Sequence, residues 1–282
     1  MPRRVRTVTS INGRRVSETG ARISVFDNAL LYAEGLFETF LAIDDHIVFL
    51  DEHLDRLFKG ASVIDLRIPV TRRTLARWMK ATVTAHPDRV KKLRLTITSG
   101  EASRWVGVQG KPQVILSASP HELPSDPFRL EVSDWKVDQD SIFRRIKTIS
   151  YAIHAAALKQ ARQSGYDDAL LINEKNEVAE VTSANIFWVK KGRIYTPPLS
   201  AGCLEGITRE RVLKEARKVR LRIVEKSERL AAMLKAEEVF ISSSLKLVIG
   251  VSEIKVSNKR YHFPPGETTA LLIERLNKSI TS

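Results

Sequence analysis

The sequence has a single cysteine, Cys203, in 282 residues, and this scarcity excludes a disulfide framework and any zinc site built on several cysteines. The stretch MPRRVRTVTSING at the N-terminus lacks the apolar core of a signal peptide. No apolar run approaches the length that is needed to span a bilayer. We therefore expect a soluble, cytoplasmic protein without a membrane partner.

Several motifs of nucleotide-dependent and metal-dependent enzymes are also missing. GVQGK at 107–111 is too short for a P-loop, and no GxGxxG follows a predicted strand. There is no HExxH, so no metal site is expected. A serine nucleophile elbow of the form GxSxG is absent as well, although this leaves a Ser-His-Asp triad without such an elbow open.

Acidic residues are few relative to basic ones, with 33 Asp and Glu against 46 Lys and Arg, and the formal net charge is +13. The basic residues are dispersed and interleaved with acids, as in DEHLDRLFK and GITRERVLKEARK, and no basic run carries aromatics at stacking spacing. We therefore expect no nucleic-acid partner. The positive field would favour anionic substrates or a phosphate-bearing cofactor.

The predicted elements mix strands and helices without a regular βαβα rhythm. Helices are predicted over 50–66, 71–86, 150–164, 206–219 and from 267 onward, and strands over 5–11, 36–43, 93–98, 114–118, 169–172, 178–180, 185–189, 221–224, 238–241 and 248–254. A polar stretch with three prolines at 120–128 predicts a linker. The sequence thus predicts an α+β protein with an N-terminal domain over 1–119 and a C-terminal domain over 129–282.

The segment FRRIKTISYAIHAAALK places Lys147 just before the predicted helix over 150–164. The positive end of a helix dipole disfavours a cation there. Lys147 is therefore either a plain surface cation or a lysine that works without its proton, which the dipole would favour. Arg144 and Arg145, immediately upstream, are interpreted as solvated residues without a catalytic role.

Four other polar features each have an ordinary explanation beside a functional one. Glu180 in VAEVTSANIFWV is either outward-facing, which strand alternation favours, or a buried acid with a cationic partner. Arg56 in HLDRL is either functional or a surface partner of Glu52. GITR at 206–209 and the serines at 242–244 are either anion contacts or a plain helix start and a turn.

Taken together and in order, these segments resemble a known family. FDNALLYAEGLFETF, HLDRL, KTISY, AEVTSANIFWV, TPPL…GCLEGITR and VFISSSLKLVIGV are similar to the motifs of class IV aminotransferases, from about Ile11 to Val251. These are the fold-type IV pyridoxal-phosphate enzymes: branched-chain aminotransferases, D-amino acid aminotransferases and 4-amino-4-deoxychorismate lyases. The resemblance implies a smaller N-terminal α/β domain, a larger C-terminal domain with a mixed sheet or barrel flanked by helices, an active site between the domains, and a homodimer.

The resemblance also implies a role for individual residues. Lys147 matches the lysine that forms the Schiff base with pyridoxal 5'-phosphate and then shuttles the substrate proton. Glu180 matches the carboxylate at the pyridine nitrogen. Tyr151 matches the tyrosine at the phenolic oxygen. The phosphate ligands implied by the resemblance are Arg56, Ile207, Thr208, Ser243 and Ser244.

The substrate-binding residues are less uniform within the family. Leu41 stands where branched-chain enzymes usually carry an arginine, and Val106 stands where D-amino acid enzymes carry a histidine. The substrate carboxylate would meet either Arg94 or Arg104. The implied substrate-binding set is Tyr32, Phe37, Arg94, Arg104 and Leu245. We expect an aminotransferase acting on a branched-chain-like amino acid, with a 4-amino-4-deoxychorismate lyase or a D-amino acid aminotransferase as alternatives.

Overall fold

The computed structural model describes residues 7–102 and 110–281, which divide into two compact units. The first unit extends to Leu123 and also contains Ile146–Ser150, and the second comprises Pro124–Arg145 and the chain from Tyr151 onward. The change of unit at Leu123 lies in the stretch where the prolines predict a linker. The assignment of Ile146–Ser150 to the first unit differs from the predicted boundaries, because this segment forms backbone hydrogen bonds with a strand of that unit.

The first unit is an antiparallel sheet with helices. Its strands, in chain order, are β1 (Val8–Ile11), β2 (Arg14–Val16), β3 (Gly35–Ile43), β4 (His46–Ile47), β5 (Val90–Glu101) and β6 (Lys111–Pro120), and they are arranged in the order β2-β1-β6-β5-β3-β4. Its helices are α1 (Asn28–Tyr32), α2 (Leu50–Val63) and α3 (Arg72–Thr84). Asn12 and Gly13 have φ of 52° and 79°, which suits the predicted tight hairpin between β1 and β2.

Alternation along β3 separates two faces of this sheet. Leu36 and Phe40 are buried in the core that also contains Leu54 of α2 and Leu75 of α3. Glu38 lies between them on the same face because its side chain alternates in step with theirs. Phe37 and Thr39 lie on the opposite face, and Thr39 is the register partner of Arg94 in β5, so that Arg94 shares this face.

The second unit is built on a mixed sheet of nine strands. They are β7 (Phe128–Val132), β8 (Asp168–Ile172), β9 (Val178–Val181), β10 (Asn185–Lys190), β11 (Arg193–Thr196), β12 (Arg222–Glu225), β13 (Glu238–Ser243), β14 (Leu247–Val256) and β15 (Lys259–His262). The order is β12-β11-β10-β13-β14-β7-β8-β9, with β15 beside β14, and the pairs β11–β12, β7–β14 and β7–β8 are parallel. Its helices are α4 (Ala152–Gln163), α5 (Ile207–Lys218), α6 (Leu230–Met233) and α7 (Glu267–Thr281).

The α+β class and the mixed sheet of the larger unit confirm the predicted fold. The strands and α-helices that the sequence did not predict are short, with two to five residues each: β2, β4, β7, β11, β15, α1 and α6. Periodicity needs more residues than these elements offer. Within 7–102 and 110–281 no helix combines the length and the apolar character that crossing a membrane requires.

Candidate active site

Lys147 lies in the segment Ile146–Ser150, which runs beside the start of β3. The N–H of Phe37 donates to the Lys147 carbonyl at 2.9 Å, and the N–H of Ile149 donates to the Gly35 carbonyl at 3.1 Å. Helix α4 begins only at Ala152, with Tyr151 as its N-cap. The prediction that a helix dipole acts on Lys147 is therefore wrong, and the neighbouring strand positions this lysine instead.

The side chains of Lys147 and Arg94 meet at one aromatic ring. Lys147 Nζ lies 4.5 Å and Arg94 Cζ 4.0 Å from the centroid of the Phe37 ring. The two cationic groups are therefore no farther apart than the sum of these distances, 8.5 Å. The structure thus brings together an amine, a guanidinium and an apolar ring on one face of the first unit.

The other predicted substrate residues come from other parts of the chain. Tyr32 ends α1 and is 48% exposed. Leu245 lies in the turn between β13 and β14, in the second unit. Arg104 belongs to 103–109 and lies outside the described residues.

Arg56 projects from α2 onto a buried carboxylate, Glu38, which is only 1% exposed. Arg56 Nε donates to Glu38 Oε1 at 2.8 Å and Arg56 Nη2 donates to Oε2 at 2.6 Å, while His53 Nδ1 lies 2.7 Å from Oε2. A carboxylate can only accept, so Nδ1 carries the proton. Sequence reasoning considered only Glu52 as a partner, although the alternation of LFETF already placed Glu38 with the core residues.

The electrostatics of this cluster favour an ionised acid and a neutral histidine. Burial by itself raises the pKa of Glu38, but the charge of Arg56 and the contacts with His53 outweigh it and lower the pKa to about 2. Burial lowers the pKa of His53, and the charges of Arg56 and Lys147 lower it further against the opposing effect of Glu38. One carboxylate therefore holds the arginine by two hydrogen bonds.

Glu180 lies in β9, where all four residues are buried, so that the outward orientation favoured by alternation is wrong. Both faces of this strand are covered. Its Oε2 accepts from the N–H of Leu204 at 2.9 Å, and its Oε1 accepts from Arg144 Nη2. Burial raises the pKa of Glu180, but His154, Arg144 and the Leu204 N–H together lower it below the usual value. The carboxylate is thus held in its ionised form.

Arg144 is bound into this site, which corrects its interpretation as a solvated residue. Besides Glu180, its Nε donates to the Gly202 carbonyl at 2.9 Å, and its Nη1 lies 3.0 Å from Nε2 of His154. His154 stacks on Tyr151 with 4.2 Å between ring centroids, and the Tyr151 hydroxyl donates to the Thr182 carbonyl. Sequence reasoning missed His154 as well, although it follows Tyr151 at helical spacing.

The start of α5 offers an anion cradle. Ile207 and Thr208 open the helix, and the N-cap residue Gly206 provides no side chain to satisfy their N–H groups. The hydroxyl of Thr208 is buried and has no hydrogen-bond partner within the described residues. A Cβ on Gly206 would lie 1.9 Å from Asn185 Oδ1, so only glycine fits there. A buried hydroxyl without a partner costs about 1–3 kcal/mol, which indicates that a ligand completes it.

Three serines stand at the end of β13 and the start of the turn after it. Ser242, which pairs with Asn185 in the sheet, has a buried hydroxyl that lacks a partner in the described part of the chain. Ser243, predicted as a phosphate ligand, accepts from the N–H of Lys246 at 3.3 Å, which leaves its own hydroxyl proton to donate. Ser244, the other predicted ligand, follows within the turn. Ser242 was not predicted, and its unpartnered hydroxyl adds it to the candidates.

The comparison with known proteins identifies the family. The family model described as amino-transferase class IV matches residues 35–254, which include all the site residues above except Tyr32. The chain belongs to the class IV aminotransferases. It is therefore a pyridoxal-phosphate-dependent transaminase, and the resemblance drawn from the motifs is confirmed.

Individual relatives of this class IV aminotransferase cover nearly all of its length. A Methanocaldococcus jannaschii protein, provisionally named a branched-chain-amino-acid aminotransferase, is 33% identical over 94% of this chain and 93% of its own. The aminodeoxychorismate lyase of Bacillus subtilis is 27% identical over 93% and 91%. The branched-chain aminotransferase of Thermoproteus uzoniensis, solved with norvaline, is 28% identical, with a TM-score of 0.90 over 97% and 94%.

Pyridoxal phosphate is the cofactor of this class, and structures similar to this chain include complexes with its derivatives. The residues present fit such a group. The unpartnered hydroxyls of Thr208 and Ser242 and the open N-terminus of α5 suit a phosphate, and the ionised Glu180 suits a protonated ring nitrogen.

Proposed function

We propose that the protein transfers the amino group of a branched-chain-like amino acid to a 2-oxo acid. The observation that carries this proposal is the arrangement of Lys147 and Arg94 around the Phe37 ring. A guanidinium can bind the substrate carboxylate, the ring offers an apolar surface to an aliphatic side chain, and the amine is within reach of the substrate's Cα. The names of the Methanocaldococcus and Thermoproteus relatives support the same substrate class.

Lys147 is the proposed catalytic residue. When bound, pyridoxal phosphate supplies the electron sink that makes the substrate α-proton acidic. Lys147 would hold the cofactor covalently, and its amine, once freed by the substrate, would take the α-proton and return a proton to the product. Glu180 would accept a hydrogen bond from the ring nitrogen, and Arg144 orients Glu180. Tyr151 would donate to the phenolic oxygen, for which its hydroxyl would turn away from the Thr182 carbonyl that accepts from it in the structure.

The phosphate is proposed to bind at two kinds of donor. Helix α5 provides the backbone N–H groups of Ile207 and Thr208 and the Thr208 hydroxyl as donors to the phosphate. The end of β13 and the turn after it provide the hydroxyls of Ser242 and Ser244. Arg56 adds a guanidinium whose Nε and Nη2 already bind Glu38, so Glu38 sets the orientation in which the arginine meets the phosphate.

For the substrate carboxylate we propose Arg94, because it lies on the same face as Lys147. Tyr32 and Leu245 remain proposed contacts of the substrate side chain. Arg104 remains an alternative carboxylate partner. The Bacillus lyase relative keeps elimination of pyruvate from 4-amino-4-deoxychorismate as the second candidate function.

We further propose a homodimer in the cytoplasm. Six large apolar residues in and before α1 are exposed by 41–64%: Ile23, Val25, Phe26, Leu30, Leu31 and Tyr32. A cluster of this kind on a monomer surface marks an interaction site. A second copy of the chain would cover it, and sedimentation of the purified protein should give twice the chain mass. A monomer at micromolar concentration would contradict this.

The mechanism is tested by spectroscopy. The purified protein should be yellow, and Lys147→Ala should lose the visible absorbance band while still binding the cofactor non-covalently. Lys159→Ala, an exposed lysine of α4, is the matched control and should keep the band. A Lys147→Ala protein with an unchanged spectrum would contradict the assignment.

The substrate class is tested by assays with L-leucine, L-valine, D-alanine and 4-amino-4-deoxychorismate. We expect amino transfer from the two L-amino acids to a 2-oxo acid, and Arg94→Gln should raise KM for them. Pyruvate and 4-aminobenzoate from the last compound, without amino transfer from the others, would make the lyase the correct function. Transfer from D-alanine alone would point to the D-specific alternative.

A further inference from the structure

A cavity of about 290 Å³ lies within the second unit. Its wall is formed by α4 and the loop after it, by the start of β7, and by the turns that follow β9 and β13. None of the residues proposed above to hold the cofactor or substrate lines it. Its volume is near the lower end of ligand pockets, about 300 Å³, which suits a small metabolite.

The polar part of this cavity is a partly exposed lysine with unused donors. Lys246 Nζ donates to Ser183 Oγ at 2.7 Å and lies 4.0 Å from Asp168 Oδ2, and the Lys246 side chain is 17% exposed. An ammonium group has three N–H donors. In the part of the chain that the structure describes, Ser183 is the one hydrogen-bond acceptor that Nζ reaches. The group can therefore bind a further acceptor from the cavity.

Asp168 does not supply that acceptor, because its Oδ2 lies 4.0 Å from Nζ, beyond hydrogen-bond distance. Oδ1 accepts from the Thr182 hydroxyl and from the N–H of Ala169 at 2.8 Å, and Oδ2 accepts from the Ser183 hydroxyl. Ser183 thus accepts from Lys246 and donates to Asp168.

The wall carries two cations and two acids, and both acids are engaged by donors of the protein. Arg162, at the end of α4, is the second cation; burial lowers the pKa of Lys246 and the charge of Arg162 lowers it further, against the opposing effect of Asp168. The other acid, Asp167, accepts from the backbone N–H of Arg129 at 2.8 Å, with the Arg129 guanidinium 3.9 Å away. With the acids engaged, an entering anion would find its partners in Lys246 and Arg162.

The remaining wall is apolar. It comprises Leu158 of α4 and the rings of Phe128 and Tyr166. The hydroxyl of Tyr166 donates to Glu253 Oε1 at 2.6 Å and is thus already bound, so the residue offers its ring rather than its polar end.

From this combination we propose that the cavity is a binding site for a small organic carboxylate with a short apolar tail, its head on Lys246 and Arg162 and its tail against Leu158 and Phe128. The turn at Thr182 and Ser183 that borders the cavity also accepts the hydrogen bond of Tyr151. A ligand here would therefore sit one turn away from a residue proposed to contact the cofactor.

The test uses the full-length holoenzyme, with hexanoate as the probe and hexanamide as its neutral match. Binding is measured by isothermal titration calorimetry with Arg94→Gln as the background, so that binding of hexanoate at the proposed substrate site is suppressed. Lys246→Met should weaken hexanoate binding about tenfold or more, as expected for the loss of a charge-assisted hydrogen bond. Arg162→Gln should weaken it about threefold, because this cation is more exposed.

Lys159→Gln is the matched control, because it removes the same charge from an exposed position of α4 that does not line the cavity. It should bind hexanoate as the parent does. A crystal structure of the complex should place the carboxylate within hydrogen-bond distance of Lys246 Nζ. The proposal is overturned if no hexanoate binds, if hexanamide binds equally, or if Lys246→Met and Arg162→Gln both bind like the parent.

Discussion

Glu38 and Arg56 offer the sharpest test of how the first unit positions its part of the site. Replacing Glu38 with glutamine keeps the size of the side chain but removes the charge that holds Arg56 and His53 in a buried cluster. The neutral amide can accept through one oxygen only, so one of the two Arg56 bonds is lost and the guanidinium loses the counter-ion that Glu38 provides.

The magnitude follows from the pKa of Glu38. Lowering that pKa from 4.5 to about 2 on folding corresponds to about 3 kcal/mol of stability at neutral pH. Because the pKa is depressed in the folded state, this contribution is fully present above pH 4.5 and is lost as the pH falls toward 2. At pH 3 it should have decreased to about 1 kcal/mol.

The assay is urea unfolding of the apoenzyme at pH 7 and at lower pH. At pH 7 we expect Glu38→Gln to lower the free energy of unfolding by about 3 kcal/mol, and the difference from the parent to shrink between pH 4.5 and pH 3. We also expect the Kd for pyridoxal phosphate to rise by about tenfold, since Arg56 loses its orientation.

Glu52→Gln is the matched control on the helix that carries Arg56. If Glu52 were the main partner of Arg56, as the sequence alone allows, this variant would be the more damaging one. Equal stability of Glu38→Gln and the parent at pH 7, with unchanged cofactor affinity, would refute the reasoning.

Three further predictions concern the second unit. Arg144→Gln should lower the free energy of unfolding by about 2 kcal/mol in urea titrations and raise the pKa of Glu180, because a charge-assisted hydrogen bond is lost. Arg145→Gln, at an exposed position, is the control and should match the parent. Equal effects of the two substitutions would contradict the assignment. Thr208→Val should raise the free energy of unfolding of the apoenzyme by about 1–3 kcal/mol, because it removes a buried hydroxyl that has no partner in the described protein, yet it should raise the Kd for pyridoxal phosphate in absorbance titrations by about tenfold. Thr208→Ser should restore the affinity, and a Thr208→Val protein with parental affinity would exclude the hydroxyl as a ligand. Cys203 should not react with a thiol reagent in the native protein at pH 8, because burial raises the pKa of its thiol to about 12. On denaturation, one reactive thiol per chain should appear. Rapid labelling of the native protein would contradict the burial of this thiol.

Much of the local structure could be predicted from the sequence. The predicted helix over 71–86 is observed as α3, with Thr71 at its N-cap accepting from the N–H of Thr74 at 3.2 Å. The limits of α5 were predicted to within one residue at each end. These features depend on interactions between residues that are close in the chain, so the pattern alone carries the information.

The partners of the site's charged residues were not predicted. Arg56 binds Glu38, 18 residues away, and Arg144 binds Glu180, 36 residues away. Glu180 was interpreted as exposed because alternation assumes one open face, whereas both faces of β9 are covered. The sequence predicts that a helix dipole acts on Lys147, because the apolar run after this residue resembles the start of a helix.

The sequence by itself thus determined the α+β class, the family with its cofactor, and the residue types on which the proposed site is built. Its ordered motifs and periodicities are local properties of the chain. Only the tertiary structure decided which charges meet, which hydroxyls remain without a partner in the described chain, and that Lys147 lies beside β3 with Arg94 at the same ring. Burial and pairing depend on residues that folding brings together from distant positions, and one-dimensional spacing does not encode those distances.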